Sequence, residues 1–130
     1  MYSFDDLIQI VAQLRSEHGC PWDKEQTFVS LKKCLADETE EVFAAVDHED
    51  MENLCEELGD VLLQVMLNSQ IASEIQAFSI NEVIDGLCKK MIRRHPHVFG
   101  DAKAETPEES LKLWNQIKAQ EKAEKGKKTE

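Results

Sequence analysis

LADETEEVFAAVDHEDMENLCEELGD, residues 35–60, decides how this 130-residue chain folds. Glu38 and Glu41 stand three apart, as do Glu57 and Asp60. Residues three apart share one face of a helix. Apolar positions on either side, Leu31, Leu35, Val42 and Val46 before the turn and Leu54, Leu58, Val61, Leu62, Val65 and Met66 after it, keep helical spacing. The chain reverses near His48–Asp50. Counted from position 49, Glu41 and Glu57 are each eight residues away, and Glu38 and Asp60 each eleven. Two antiparallel helices with equal rise per residue therefore bring the pairs to matching height, as a box of four carboxylates. Such a box repels itself unless a cation sits in it, and hard oxygen donors suit Mg²⁺ or Mn²⁺. Acidic i,i+3 pairs also make ordinary wet helix faces. Glu38 and Glu57 fit that alternative poorly, because each interrupts an apolar stripe and glutamate is rarely buried without a partner.

The rest of the chain extends the helical reading. A helix is expected from about Phe4 to Glu17 with Ser3 as N-cap, then a loop at His18-Gly19-Cys20-Pro21-Trp22-Asp23. The two acidic helices should run over about Thr27–Asp47 and Met51–Ile75. A fourth helix starts at Ser79 with Glu82 three on, and stops before Pro96. A fifth starts at Thr106-Pro107-Glu108-Glu109. From about Gln120 the Lys/Glu/Ala composition suggests fraying, then a disordered tail over 121–130. The expectation is a single all-α domain over 1–120, with four to five helices in an antiparallel bundle.

Charge is distributed unevenly. The net charge of −11 argues against a nucleic-acid partner. From Cys34 to Cys88 there are fourteen Asp or Glu and no Lys or Arg, whereas Gly86 to Gly100 holds Lys89, Lys90, Arg93 and Arg94 and no acid. A metal-binding segment followed by a basic one suits a Mg²⁺–polyphosphate substrate. Helix-dipole capping also accounts for cations at a helix C-terminus, though adjacent arginines before His95-Pro96-His97 exceed what capping needs. Trp22 and Trp114 can each stack on a nucleobase, or anchor a loop and a core respectively. His18, Cys20, His95 and His97 offer a competing zinc reading, against which both pairs have a one-residue spacing. No apolar run approaches membrane-spanning length, the N-terminus lacks signal-peptide order, and scattered cysteines without CxxC fit reduced thiols in the cytoplasm.

Four segments occur in an order and spacing that resembles the MazG family of nucleoside triphosphate pyrophosphohydrolases. They are Gly19-Cys20-Pro21-Trp22-Asp23-Lys24-Glu25-Gln26-Thr27, Glu38-Thr39-Glu40-Glu41-Val42, Glu56-Glu57-Leu58-Gly59-Asp60, and Arg93-Arg94-His95-Pro96-His97-Val98-Phe99. The resemblance covers about residues 5–120, as a single copy of the domain. It implies an all-α fold that dimerises or forms a higher homo-oligomer, with Glu38, Glu41, Glu57 and Asp60 as catalytic metal ligands. It also implies phosphate contacts from Lys90, Arg93 and Arg94, and a nucleotide contact from Trp114. The implied reaction is Mg²⁺-dependent hydrolysis of NTP or dNTP to monophosphate and pyrophosphate; a nucleotide-binding module without turnover is the alternative. One position departs: where the family pattern EExxE begins with Glu, this chain has Asp37.

Overall fold

The computed structural model describes residues 1–128, and side chains through 126. It contains seven helices and no strand among the described residues: α1 (Phe4–Leu14), α2 (Pro21–Glu25), α3 (Phe28–Asp47), α4 (Met51–Glu74), α5 (Ile80–Arg94), α6 (Pro96–Phe99) and α7 (Pro107–Lys128). Five are long and two are single turns, so the all-α expectation holds. The chain divides into two compact units, Met1–Ile80 and Asn81–Glu130.

In the first unit, α3 and α4 form a hairpin and α1 packs on α4. Ser3 and Thr27 cap α1 and α3 with reciprocal boxes. Asp6 N–H donates to Ser3 Oγ at 3.1 Å and Ser3 N–H to Asp6 Oδ2 at 2.8 Å; Thr27 and Ser30 do the same at 3.1 and 2.8 Å. The core is Val11, Leu31, Ala45, Met66, Leu67, Ile71 and Ala72. Buried Ser69 donates to Val65 O at 2.8 Å, whereas the Oε1 of buried Gln64 has no partner.

Three residues join α3 to α4. Glu49 takes the left-handed conformation, φ 53°. Its N–H donates to Val46 O and that of Asp50 to Ala45 O, both at 3.1 Å. This is a Schellman closure, a position where glycine is the usual occupant. The Asp50 side chain then accepts from Asn53 N–H at 3.1 Å and starts α4. α4 ends in the same way, with Gln76 at φ 58° and Ala77 N–H donating to Ala72 O at 2.9 Å.

Two boundaries differ from expectation near the start. α1 stops at Leu14 rather than Glu17, because the chain folds back on the helix end: Cys20 N–H donates to Leu14 O at 2.8 Å. A Cβ on Gly19 would lie 2.2 Å from Leu14 O, so only glycine passes there. The expected loop at 18–23 is partly helical, with Pro21 opening α2. Arg15 fixes this stretch. It donates to the carbonyls of Asp23 and Gln26, and its Nε and Nη2 reach Glu74 at 2.8 and 2.9 Å.

In the second unit, Thr106 Oγ1 accepts from Glu109 N–H at 3.2 Å and opens α7. That helix continues through Lys128, across most of the stretch expected to be a disordered tail; residues 129 and 130 lie outside the described residues. Glu121 has opposite charges three residues before it, at Lys118, and four after it, at Lys125, which supports a polar helix. Glu121 is also held by Arg93 and Arg94 of α5.

The apolar stripe of the hairpin is only partly covered. Leu31 and Met66 are buried, but Leu35, Phe43, Val46, Leu58, Leu62 and Val65 remain between 38% and 52% exposed.

Candidate functional site

The hairpin brings Glu38 of α3 and Glu57 and Asp60 of α4 together: one carboxylate oxygen from each lies within 4.8 Å of the other two. All three are half-buried. Loss of water around them, then the neighbouring Asp60 and Glu41 charges, pushes the carboxyls of Glu38 and Glu57 above their usual range. The closeness of Asp60 adds to the rise at Glu57. No Lys or Arg among the described residues pairs with Glu38, Glu57 or Asp60. Lys33, just before the acidic stretch, pairs with Asp37 at 3.0 Å across one exposed turn.

Glu41 is exposed and stands outside this converging set, although its charge reaches Glu38 and Glu57. The expected box of four is therefore an inner three with a fourth carboxylate at its rim. The donor chemistry fits a hard divalent cation. Ligands opposite each other on Mg²⁺ stand about 4.2 Å apart, twice its ~2.1 Å bond, and on Ca²⁺ about 4.8 Å. Only one pair of three octahedral ligands can be opposite, and adjacent ones stand about 3.0 Å apart, so a span of up to 4.8 Å needs closures of up to about 1.8 Å for Mg²⁺. Glu and Asp rotamers accommodate that.

The basic segment lies in the second unit. Lys89 pairs with Asp85 at 2.8 Å, one turn back on α5. Lys90 is half-buried and has no ion-pair partner among the described residues. Arg94 donates through Nε and Nη2 to Glu121 Oε2, at 3.3 and 2.8 Å, and Arg93 Nε donates to Oε1. Two arginines hold the Glu121 carboxyl down to about 2. The Arg94 guanidinium lies 4.8 Å from the centre of the Trp114 ring, a cation–π contact. His95 meets the same ring edge-on at 5.3 Å, and its Nδ1 is 2.6 Å from Met91 O. Trp114 is thus packed by two neighbours, while Trp22 is exposed. Neither His/Cys pair of the zinc reading belongs to a converging set of three ligands among the described residues.

Glu121 is the residue that sequence reasoning passed over. Its partners are 27 and 28 positions away, so no local spacing marks it.

Residues 26–99 match the family model described as the MazG nucleotide pyrophosphohydrolase domain. The chain belongs to this family. It is 51% identical over 122 residues to the nucleoside triphosphate pyrophosphohydrolase/pyrophosphatase MazG of Thermotoga maritima, covering 94% of this chain and 46% of that protein. It is 45% identical over 126 residues to the nucleoside triphosphate pyrophosphohydrolase of Escherichia coli K12, covering 96% of this chain and 48% of that one. The chain spans just under half the length of these two relatives. A crystal structure of a mazG-related protein from Thermotoga maritima superposes with a TM-score of 0.73 at 31% identity, covering 88% of this chain and 98% of that one. The MazG match ends at residue 99, so Trp114 and Glu121 lie beyond the matched segment.

Proposed function

We propose that this MazG domain hydrolyses nucleoside triphosphates at the α–β phosphoanhydride, releasing monophosphate and pyrophosphate. The observation that carries the proposal is the convergence of Glu38, Glu57 and Asp60 on facing helices, with no Lys or Arg paired to them among the described residues. A Mg²⁺ ion held there, with Mn²⁺ as a substitute, supplies charge neutralisation of the phosphates and a more acidic water. The three inner carboxylates hold the cation. Glu41 at the rim would add its charge to theirs in attracting the cation. Lys90, Arg93 and Arg94 take the non-reacting phosphate oxygens and stabilise charge that builds in the transition state. Trp114, beneath Arg94, contacts the nucleotide.

The test is incubation with each NTP and dNTP plus Mg²⁺, followed by product separation. Monophosphate with pyrophosphate supports the proposal; diphosphate with inorganic phosphate rejects the stated bond. A second reading, nucleotide binding without turnover, draws on Glu41 standing outside the inner set. Saturable binding with no product under Mg²⁺ and Mn²⁺ would select it.

The half-exposed stripe of Phe43, Val46, Leu58, Leu62 and Val65 supports a homo-oligomer, a dimer in its simplest form, that covers this face. Light scattering over a dilution series measures it. Four free thiols agree with a cytoplasmic setting, and no helix among the described residues is long and apolar enough to cross a membrane.

A further inference from the structure

The arginine pair assigned above to phosphate already holds an anion. We infer that Glu121 is an internal competitor for that seat, and that an incoming phosphate oxyanion must displace its carboxylate from Arg93 and Arg94. The inference rests on the proposal that these arginines receive phosphate.

The geometry is that of a bound oxyanion. One Glu121 oxygen takes the Nε–Nη2 edge of Arg94, at 3.3 and 2.8 Å, and the other takes Nε of Arg93. The Nε–Nη2 edge is a forked donor that suits a carboxylate and a phosphate equally. Two oxygens of one group bridging two adjacent guanidiniums is also how a single phosphate would bridge them. The contact lines a cleft of about 360 Å³, formed by Lys90, Arg93, Arg94, Glu121, Glu124 and Lys125. Lys90 in this cleft has no ion-pair partner among the described residues, so the cleft offers an anion a cation even with Glu121 in place. Glu121 also lines the adjoining cleft, with Lys118 and Lys122 of its own helix. A released carboxylate therefore remains among cations.

Arg93 is 51% exposed, Glu121 22% and Arg94 13%, so a solute reaches the pair from the Arg93 side. The Arg93 contact is the exchangeable one, since an exposed ion pair is worth little in water. A multiply charged phosphate offers the same donors more charge. Neutralising Glu121 should then tighten phosphate binding. If Glu121 instead served to position the arginines, neutralising it would weaken binding, so the sign of the change separates the two roles.

The experiment is calorimetric titration of inorganic pyrophosphate into the full chain, as wild type, Glu121→Gln, Glu121→Ala, Arg93→Gln/Arg94→Gln, and Glu121→Gln/Arg94→Gln. Gln and Ala both keep good helix propensity, so α7 is retained. The expected result is a dissociation constant about fivefold or more lower in both Glu121 variants, with the gain abolished when Arg94 is also replaced. Unchanged or weaker binding in the Glu121 variants overturns the inference, as does a gain that survives loss of Arg94. If the double-arginine variant binds pyrophosphate as wild type does, the phosphate assignment of the arginines fails instead, whatever Glu121 does.

Discussion

Arg15 and Glu74, fifty-nine residues apart, meet through two near-parallel hydrogen bonds of 2.8 and 2.9 Å. The same guanidinium holds the carbonyls of Asp23 and Gln26, so one side chain ties α1, the α2 stretch and the end of α4 together. Arg15→Ala strands two carbonyls and a carboxylate. A loss of about 2–3 kcal/mol in unfolding free energy is expected from urea titration. Glu74→Gln keeps the carbonyl contacts and should cost less.

Acid titration reports on the same pair. The Arg15 hydrogen bonds hold the Glu74 carboxyl below its usual value of 4.5. The unfolded chain therefore binds a proton there before the folded chain does. The pair's stabilisation is fully present above about pH 4.5 and is lost as pH falls through the depressed folded value. Thermal midpoints of wild type and Glu74→Gln should thus converge on acidification. A constant difference across that window would show that the pair does not titrate as described.

Glu57→Gln and Asp60→Asn each remove charge from a self-repelling set. Both variants should be at least as stable as wild type without divalent cation, and should lose the rise in thermal midpoint that Mg²⁺ gives wild type. Hydrolysis should fall about a hundredfold or more. Glu41→Gln, at the rim, should weaken Mg²⁺ binding less than either. An equal loss would mean that Glu41 swings into the set when the cation binds.

Gly19→Ala places a methyl 2.2 Å from Leu14 O and 2.4 Å from Gln13 O, both backbone atoms that cannot turn aside. The end of α1 must move. A cost of about 2 kcal/mol or more is expected in chemical denaturation.

Glu49→Gly should have the opposite sign. Glu49 occupies the left-handed region at φ 53°, which costs a side-chain-bearing residue roughly 1 kcal/mol. Glycine removes that strain, so stability should rise or hold within that amount. A clear loss would assign the Glu49 side chain a contact of its own.

The hairpin was legible in the sequence because both its signals are local. Helical periodicity set α3 and α4 to within a residue of their observed bounds, and equal counting from the turn brought Glu38, Glu57 and Asp60 together. The same counting placed Glu41 with them. It fixes backbone height, but which carboxylates converge depends on side-chain direction, and spacing alone does not resolve that. The early end of α1 was not legible, since it depends on a chain reversal and on a guanidinium with a partner fifty-nine positions away. The start of α7 was legible at Thr106-Pro107-Glu108-Glu109, but the charged composition after Gln120 did not show how far it runs. Its polar residues are poor core formers, yet Glu121 has partners on another helix and opposite charges at Lys118 and Lys125, three and four residues away.

Asp50 leaves the hairpin no slack, because its amide closes one helix while its carboxylate opens the next. The connection therefore works as a phase lock. One residue inserted at 48–50 would turn α4 by about 100° relative to α3 unless the turn absorbed it. Glu57 and Asp60 would then swing away from Glu38 while the helices stayed intact. Loop length, usually the most forgiving property of a helical hairpin, is here as strictly constrained as the identity of the carboxylates themselves.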